Sequence, residues 1–127
     1  NAELSGLADR PIRWIVEDAP TFVRRELKRG RPYDAIVLDP PSYGHGAKGE
    51  SWKLAEHLHE LLADCARLTA DERRFVLLTC HTPGFGPSAL GGLLSQALGD
   101  DNIETAGLQL STSAGQRLPC GAMARWC

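Results

Sequence analysis

The chain has 127 residues, the size of one domain and enough to bury a real core. Lys and Arg number 14 against 16 Asp and Glu, and a formal net charge of −2 argues against strong non-specific nucleic-acid binding by this chain alone. No apolar run reaches membrane-span length, no signal peptide is visible, and Cys65, Cys80, Cys120 and Cys127 show no paired spacing, so reduced thiols in a cytoplasmic protein are expected.

Residues 1–6 read as the tail of a helix closed by Gly6 at C′, and Asn1 is not an initiator methionine. Residues 12–16 form a short strand. Asp18 caps the next helix, with Pro20 allowed in its first turn and Phe22, Val23 and Leu27 on its apolar face. Lys28, Arg29 and Gly30 end that helix. A strand over 34–38 follows, then a loop from Asp39 to Glu50. A longer helix begins near Ser51 and carries Leu54, Leu58, Leu61, Leu62 and Cys65 at helical spacing. Residues 75–78 are a continuous apolar strand leading into Thr79-Cys80-His81-Thr82-Pro83-Gly84. Ser88 after Pro87 opens a weaker helix loosened by Gly91 and Gly92. Residues 103–112 and 122–126 are strands, with Gly115, Pro119 and Gly121 between them. Alternating strands and helices followed by two consecutive strands predict a mostly parallel α/β sheet with an antiparallel hairpin at its end.

The most informative stretch is Tyr33-Asp34-Ala35-Ile36-Val37-Leu38-Asp39-Pro40-Pro41-Ser42-Tyr43. Its Val, Ile and Leu suit a central parallel strand covered on both faces. Pro40 cannot donate to a ladder and holds Asp39 extended, so pairing stops at the acid. Asp39 then stands at the carboxyl end of a strand, where open α/β sheets bind ligands, with Tyr43 at the lip of the crevice. A local turn bond by Asp39 is the plainer reading. The coincidence of acid, prolines and aromatic at one strand end favours a site.

Other candidates are weaker. Gly44-x-Gly46-x-x-Gly49 matches the dinucleotide fingerprint literally, but five residues separate it from the strand and no strand-terminal acid follows about 20 residues on. A flexible loop that closes over substrate fits better, with a plain surface loop close behind, and His45, Lys48 and Trp52 as nucleic-acid contacts or plain solvated side chains. Arg24, Arg25, Lys28, Arg29 and Arg31 form a basic cluster that suits RNA phosphate, although a charged helix face explains it as well. His57 and His59 lie two apart on a helix and point to different faces. With no Cys-x-x-Cys in the chain, no metal site is expected.

The strand ending in Asp39-Pro40-Pro41-Ser42-Tyr43, Thr79-Cys80 after the next strand, and Leu118-Pro119-Cys120-Gly121 before the last one resemble class I S-adenosylmethionine-dependent methyltransferases. The branch they are most similar to comprises large-subunit ribosomal RNA methyltransferases that include cytosine-5 enzymes. The resemblance covers nearly all of residues 1–127, as the carboxyl-terminal part of the catalytic domain. It implies a Rossmann-like methyltransferase sheet lacking its first strand or strands, S-adenosylmethionine as cofactor and ribosomal RNA as substrate. It assigns Asp18 and Ala19 to the adenine of the cofactor, which is compatible with a capping role for Asp18. It assigns Asp39 to the methionine end of the cofactor and to the target base, and Pro40, Pro41 and Tyr43 to the base pocket. A thiolate adding to carbon 6 would activate a cytosine for methylation at carbon 5, and Thr79-Cys80 matches the pair that RNA cytosine-5 enzymes carry here. A small buried hydrophobe is the competing reading of Cys80. His81, adjacent in an extended chain, points away from Cys80 and is a poor base for it.

Two features depart from the family. Ser42 separates the second proline from the aromatic, which weakens methylation of an exocyclic amine. The glycine-rich cofactor turn and the ribose-binding acid are absent, so an upstream part of the same domain is the expected partner. A nicotinamide-linked oxidoreductase domain and a non-catalytic binding module are the rival readings.

Overall fold

The computed structural model describes residues 1–46, 49 and 51–127, so Lys48 of the expected nucleic-acid contacts lies outside the described residues. Gly6 has φ 66° and closes a single helical turn, with Gly6 N–H donating to the Glu3 carbonyl (3.0 Å) and Leu7 N–H to that of Ala2 (2.8 Å). This pair of bonds is the Schellman closure expected of Gly6 at C′. The strand expected over 12–16 does not form, and Trp14 and Val16 are exposed. A strand is stable only as part of a ladder, and no described strand pairs with this segment.

Helix α1 (Ala19–Lys28) starts as the sequence indicates. Asp18 is its N-cap, accepting from Thr21 N–H at 2.9 Å, and Pro20 sits in the first turn. Strand β1 (Ala35–Leu38) pairs in parallel with β4 (Phe75–Cys80), from Ala35 opposite Phe75 to Leu38 opposite Leu78. Between them, residues expected as loop form β2 (Tyr43–His45), and residues expected to open the next helix form β3 (Ser51–Lys53), paired antiparallel with Gly44 opposite Trp52. That pairing delays helix α2 (Leu54–Leu68), whose cap residue Lys53 donates its N–H to His57 Nδ1 at 2.9 Å. Helix α3 (Pro87–Leu98) and strands β5 (Glu104–Ser111) and β6 (Arg117–Trp126) complete the chain.

The sheet order is β1-β4-β6-β5. The β1–β4 pairing is parallel, whereas β6 is antiparallel to both its neighbours. The closing antiparallel hairpin stands at one end of the sheet, as expected, but it joins through its second strand, so that β6 lies between β4 and β5. Its small Ala122 and Ala124 are buried and allow close packing in the middle of the sheet. β6 also begins earlier than expected, tolerating Pro119 beside a register shift opposite Leu108 and Gln109. β1 is an edge strand of the described sheet rather than a central one. Ile36 and Leu38 join the core, but Val37 on the opposite face is 67% exposed. The expectation of cover on both faces fails because the helices packed on the sheet's core, α2 and α3, lie over the face that carries Val76, Leu78 and Cys80.

Leu54, Leu58 and Leu62 of α2 and Leu90 and Leu94 of α3 fill that core, while Val23, Leu61, Cys65 and Leu68 join α1 to α2. Gly91 lets α3 approach β5, since a Cβ there would stand 2.8 Å from Thr105 Cγ2, whereas at Gly92 it would meet open space. Gly92→Ala is therefore expected to raise stability by about 0.5–1 kcal/mol through helix propensity. Gly91→Ala should lose most of that gain to the Thr105 contact, and equal gains in urea denaturation would contradict the close approach.

Candidate active site

The β1–β4 ladder ends with Leu38 opposite Leu78, which sets the residues after Leu38 beside Thr79 and Cys80, where β4 continues paired to β6 alone. Thr79 Oγ1 donates to Asp39 Oδ1 at 2.7 Å, and His81 Nε2 lies 3.3 Å from the same oxygen. His81 Nδ1 is bonded to the Cys120 carbonyl on β6. The proline pair is held from both flanks. Trp52 Nε1–H donates to the Pro41 carbonyl at 2.7 Å, and the Ser42 and Thr82 hydroxyls are 2.7 Å apart. Pro40 and Pro41 are consequently a rigid, anchored corner rather than a free turn.

Beside this corner opens a cleft of about 510 Å³, walled by residues 16–20 at the start of α1, by residues 37–41, and by Gly44, His45, Gly46, Trp52 and Leu61. Asp18, Ala19, Asp39, Pro40 and Pro41 are thus brought together. Asp18 Oδ2 accepts from both Thr21 N–H and Thr21 Oγ1 (2.9 and 2.7 Å), so its capping role is real and leaves Oδ1 for another donor. Ala19 N–H is among the first four amides of α1, which have no partner within the helix.

Two expected residues stand elsewhere. Tyr43 lies on β2 opposite Lys53, is 80% exposed and does not line the cleft. The aromatic at the wall is Trp52, which the hairpin brings back to Pro41. Cys80 is 1% exposed and packs in the core with Leu78 and Leu90. Strand alternation turns it to the face opposite Thr79 and His81. Its placement is that of a small core residue and does not reach Asp39. Burial also pushes the Cys65 thiol up to about 12, reinforced by Asp64, so that thiol stays neutral.

Gly44 lies inside β2, and β3 intervenes before α2, so Gly44, Gly46 and Gly49 do not form the strand-to-helix turn of a dinucleotide site. In the basic cluster, Arg24 pairs with Glu60 (3.4 Å), Arg25 with Glu17 (2.5 Å) and Arg29 with Glu26 (2.9 Å). Glu26 is buried; although desolvation opposes its ionisation, hydrogen bonds from Tyr33 and Arg29 hold its carboxyl below the usual range. Much of the cluster thus serves α1 itself. Among the described residues, no three His, Cys, Asp or Glu side chains group as a metal site, and no helix is long and apolar enough to cross a membrane.

No family model matches the chain, and no curated protein matches it. Solved structures do. A SAM-dependent methyltransferase from Agrobacterium tumefaciens superposes with a TM-score of 0.87 at 30% identity, over 98% of this chain and 42% of that one. A candidate SAM-dependent methyltransferase from Streptococcus mutans gives 0.70 at 14% identity, over 98% of this chain and 33% of its own. A candidate methyltransferase solved with SAH gives 0.69 at 15% identity, over 97% and 34%. The chain has the fold of the corresponding part of these methyltransferases and spans less than half the length of each.

The geometry at Asp18 makes a direct claim about stability. Asp18→Ala is expected to cost about 1 kcal/mol by loss of the cap, while Asp18→Ser should retain most of it. Denaturant midpoints unchanged in Asp18→Ala would contradict the capping role.

Proposed function

We propose that this chain forms the acceptor side of an S-adenosylmethionine-dependent methyltransferase acting on a base of ribosomal RNA. The observation that carries the reading is the single cleft joining Asp18 and Ala19 to Asp39, Pro40 and Pro41, in a fold shared with a methyltransferase at 30% identity.

The residues present fit the cofactor. Among the described residues, Asp18 Oδ1 and the neighbouring Ala19 N–H have no hydrogen-bond partner, and this acceptor–donor pair suits the amino edge of an adenine. Val16, Pro20, Val37 and Leu61 supply apolar walls for a planar ring. When bound, S-adenosylmethionine supplies an electrophilic methyl group on a sulfonium. The protein's part is alignment. Asp39, fixed by Thr79, accepts from the acceptor's N–H or O–H, and the anchored Pro40-Pro41 backbone confines the base beside it. A target within a stacked RNA must be extruded to enter. The exposed Tyr43 and His45, together with Lys28 and Arg31 on the flank of α1, support an RNA partner.

Cytosine-5 chemistry would need the Cys80 thiolate, and burial of Cys80 favours acceptors that need no covalent adduct. Transfer of labelled methyl from S-adenosylmethionine to deproteinised ribosomal RNA by the intact protein tests the reading. Asp39→Ala is expected to lower the rate about 100-fold through misalignment. Cys80→Ala should cost about 1 kcal/mol of stability and leave the rate within a few-fold. Loss of transfer in folded Cys80→Ala would restore the adduct mechanism. Absence of both transfer and cofactor binding in the wild type would leave a non-catalytic module.

A further inference from the structure

We propose that His81 is a further catalytic residue of this site, the base that takes up the proton released by the methyl acceptor, with Asp39 as its counter-ion. The inference rests on the methyl-transfer reading and adds to it a residue and a proton path.

His81 stands one residue past the end of β4, turned away from the core that holds Cys80. Its Nδ1 meets the carbonyl oxygen of Cys120. A carbonyl only accepts, so Nδ1 carries the ring proton and Nε2 is the basic nitrogen of the neutral imidazole. Nε2 faces Asp39 Oδ1 across 3.3 Å, and Thr79 Oγ1 holds that oxygen in place at 2.7 Å. At this separation a proton arriving at Nε2 is placed to hydrogen-bond Asp39 Oδ1. Both side chains are more than half exposed, at 56% and 59%; Asp39 lines the cleft, and His81 stands at its edge through the contact with Asp39.

The ring's position is built into the fold. Gly121 has φ 140°, and a Cβ there would stand 2.8 Å from His81 Nδ1 and 2.5 Å from the Cys80 carbonyl oxygen. Glycine thus keeps open the space in which the imidazole docks on β6. Among the described residues, the titratable groups next to the ring are Asp39 from the end of β1, Cys80 preceding it in sequence, and Cys120 on β6, which meets it through its backbone carbonyl. Among the described residues, Asp39 is the ion partner of His81.

The step balances without a further reactant. The acceptor's lone pair forms the new bond to the methyl carbon as the electron pair of the C–S bond leaves on sulfur. The proton that the methylated acceptor no longer holds passes to Nε2, giving an imidazolium paired with Asp39, and is then lost to solvent. Neutral His81 is the active form, so the rate rises with pH as the imidazole loses its proton.

The test is labelled methyl transfer to ribosomal RNA by the intact protein, measured across the imidazole titration range. His81→Ala is expected to lower kcat about 100-fold with KM nearly unchanged, to lose the imidazole-dependent limb of the pH profile, and to regain activity with added imidazole. Transfer by His81→Ala at the wild-type rate and pH profile would overturn this inference and leave the methyl-transfer reading standing. No transfer by the wild type would overturn both. Nitrogen NMR of the wild-type imidazole gives a readout independent of activity and of how the variant folds. The neutral ring should be protonated at Nδ1, and protonation at Nε2 would overturn the assignment.

Discussion

The parallel register of β1 on β4 is the constraint on which the rest of the site depends. Because Leu38 lies opposite Leu78, the ladder between the two strands stops there, and the next residues, Asp39 and Thr79, come within hydrogen-bond reach. A slip of one residue would turn Ile36 and Leu38 out of the core and send Asp39 to the other face. The register is therefore held by apolar packing under α2 and α3, while the bond it makes possible between Thr79 and Asp39 is worth only about 1–3 kcal/mol. The core does the positioning, and the polar contacts read it out.

Everything else at the site is attached to this strand end from outside. The β2–β3 hairpin returns Trp52 to the Pro41 carbonyl, so the proline corner is braced by an element that follows it in sequence. β6, running against its neighbours, brings the Cys120 carbonyl to His81 at a point where the ladder is interrupted. The start of α1 closes the far wall. There Asp18 Oδ2 caps the helix by accepting from the Thr21 amide and hydroxyl, while the residue also lines the cleft. The candidate functional groups thus lie on element termini, where backbone pairing ends and polar groups are available.

Local patterns were legible. The helical spacing of Leu54, Leu58, Leu61, Leu62 and Cys65, the Asp18 cap, the Gly6 closure and the strand ending at Asp39 all follow from neighbours in sequence, and each stands where it was expected. What failed depends on partners far along the chain. Residues 12–16 have strand composition but no described strand to pair with. The glycines after Tyr43 suggested a loop, yet Gly44 gains its conformation from pairing opposite Trp52. Insertion of β6 between β4 and β5 cannot be read from the order of elements. The orientation of Cys80 was legible in principle, because alternation from Val76 and Leu78 carries it into the core. The same alternation joins Thr79 to His81 on the other side, and knowledge of the adjacent Asp39 was needed to see its use.

The central claim is that the cleft between the start of α1 and the Asp39-Pro40-Pro41 corner is where the methyl donor and acceptor meet. A crystal structure of the intact protein with S-adenosylhomocysteine tests it most directly. The account predicts density in that cleft, with the adenine beside Asp18 and Ala19 and the sulfur end directed towards Asp39. Density bound elsewhere on this chain, with residues 16–20 and 37–41 free of ligand, would contradict it.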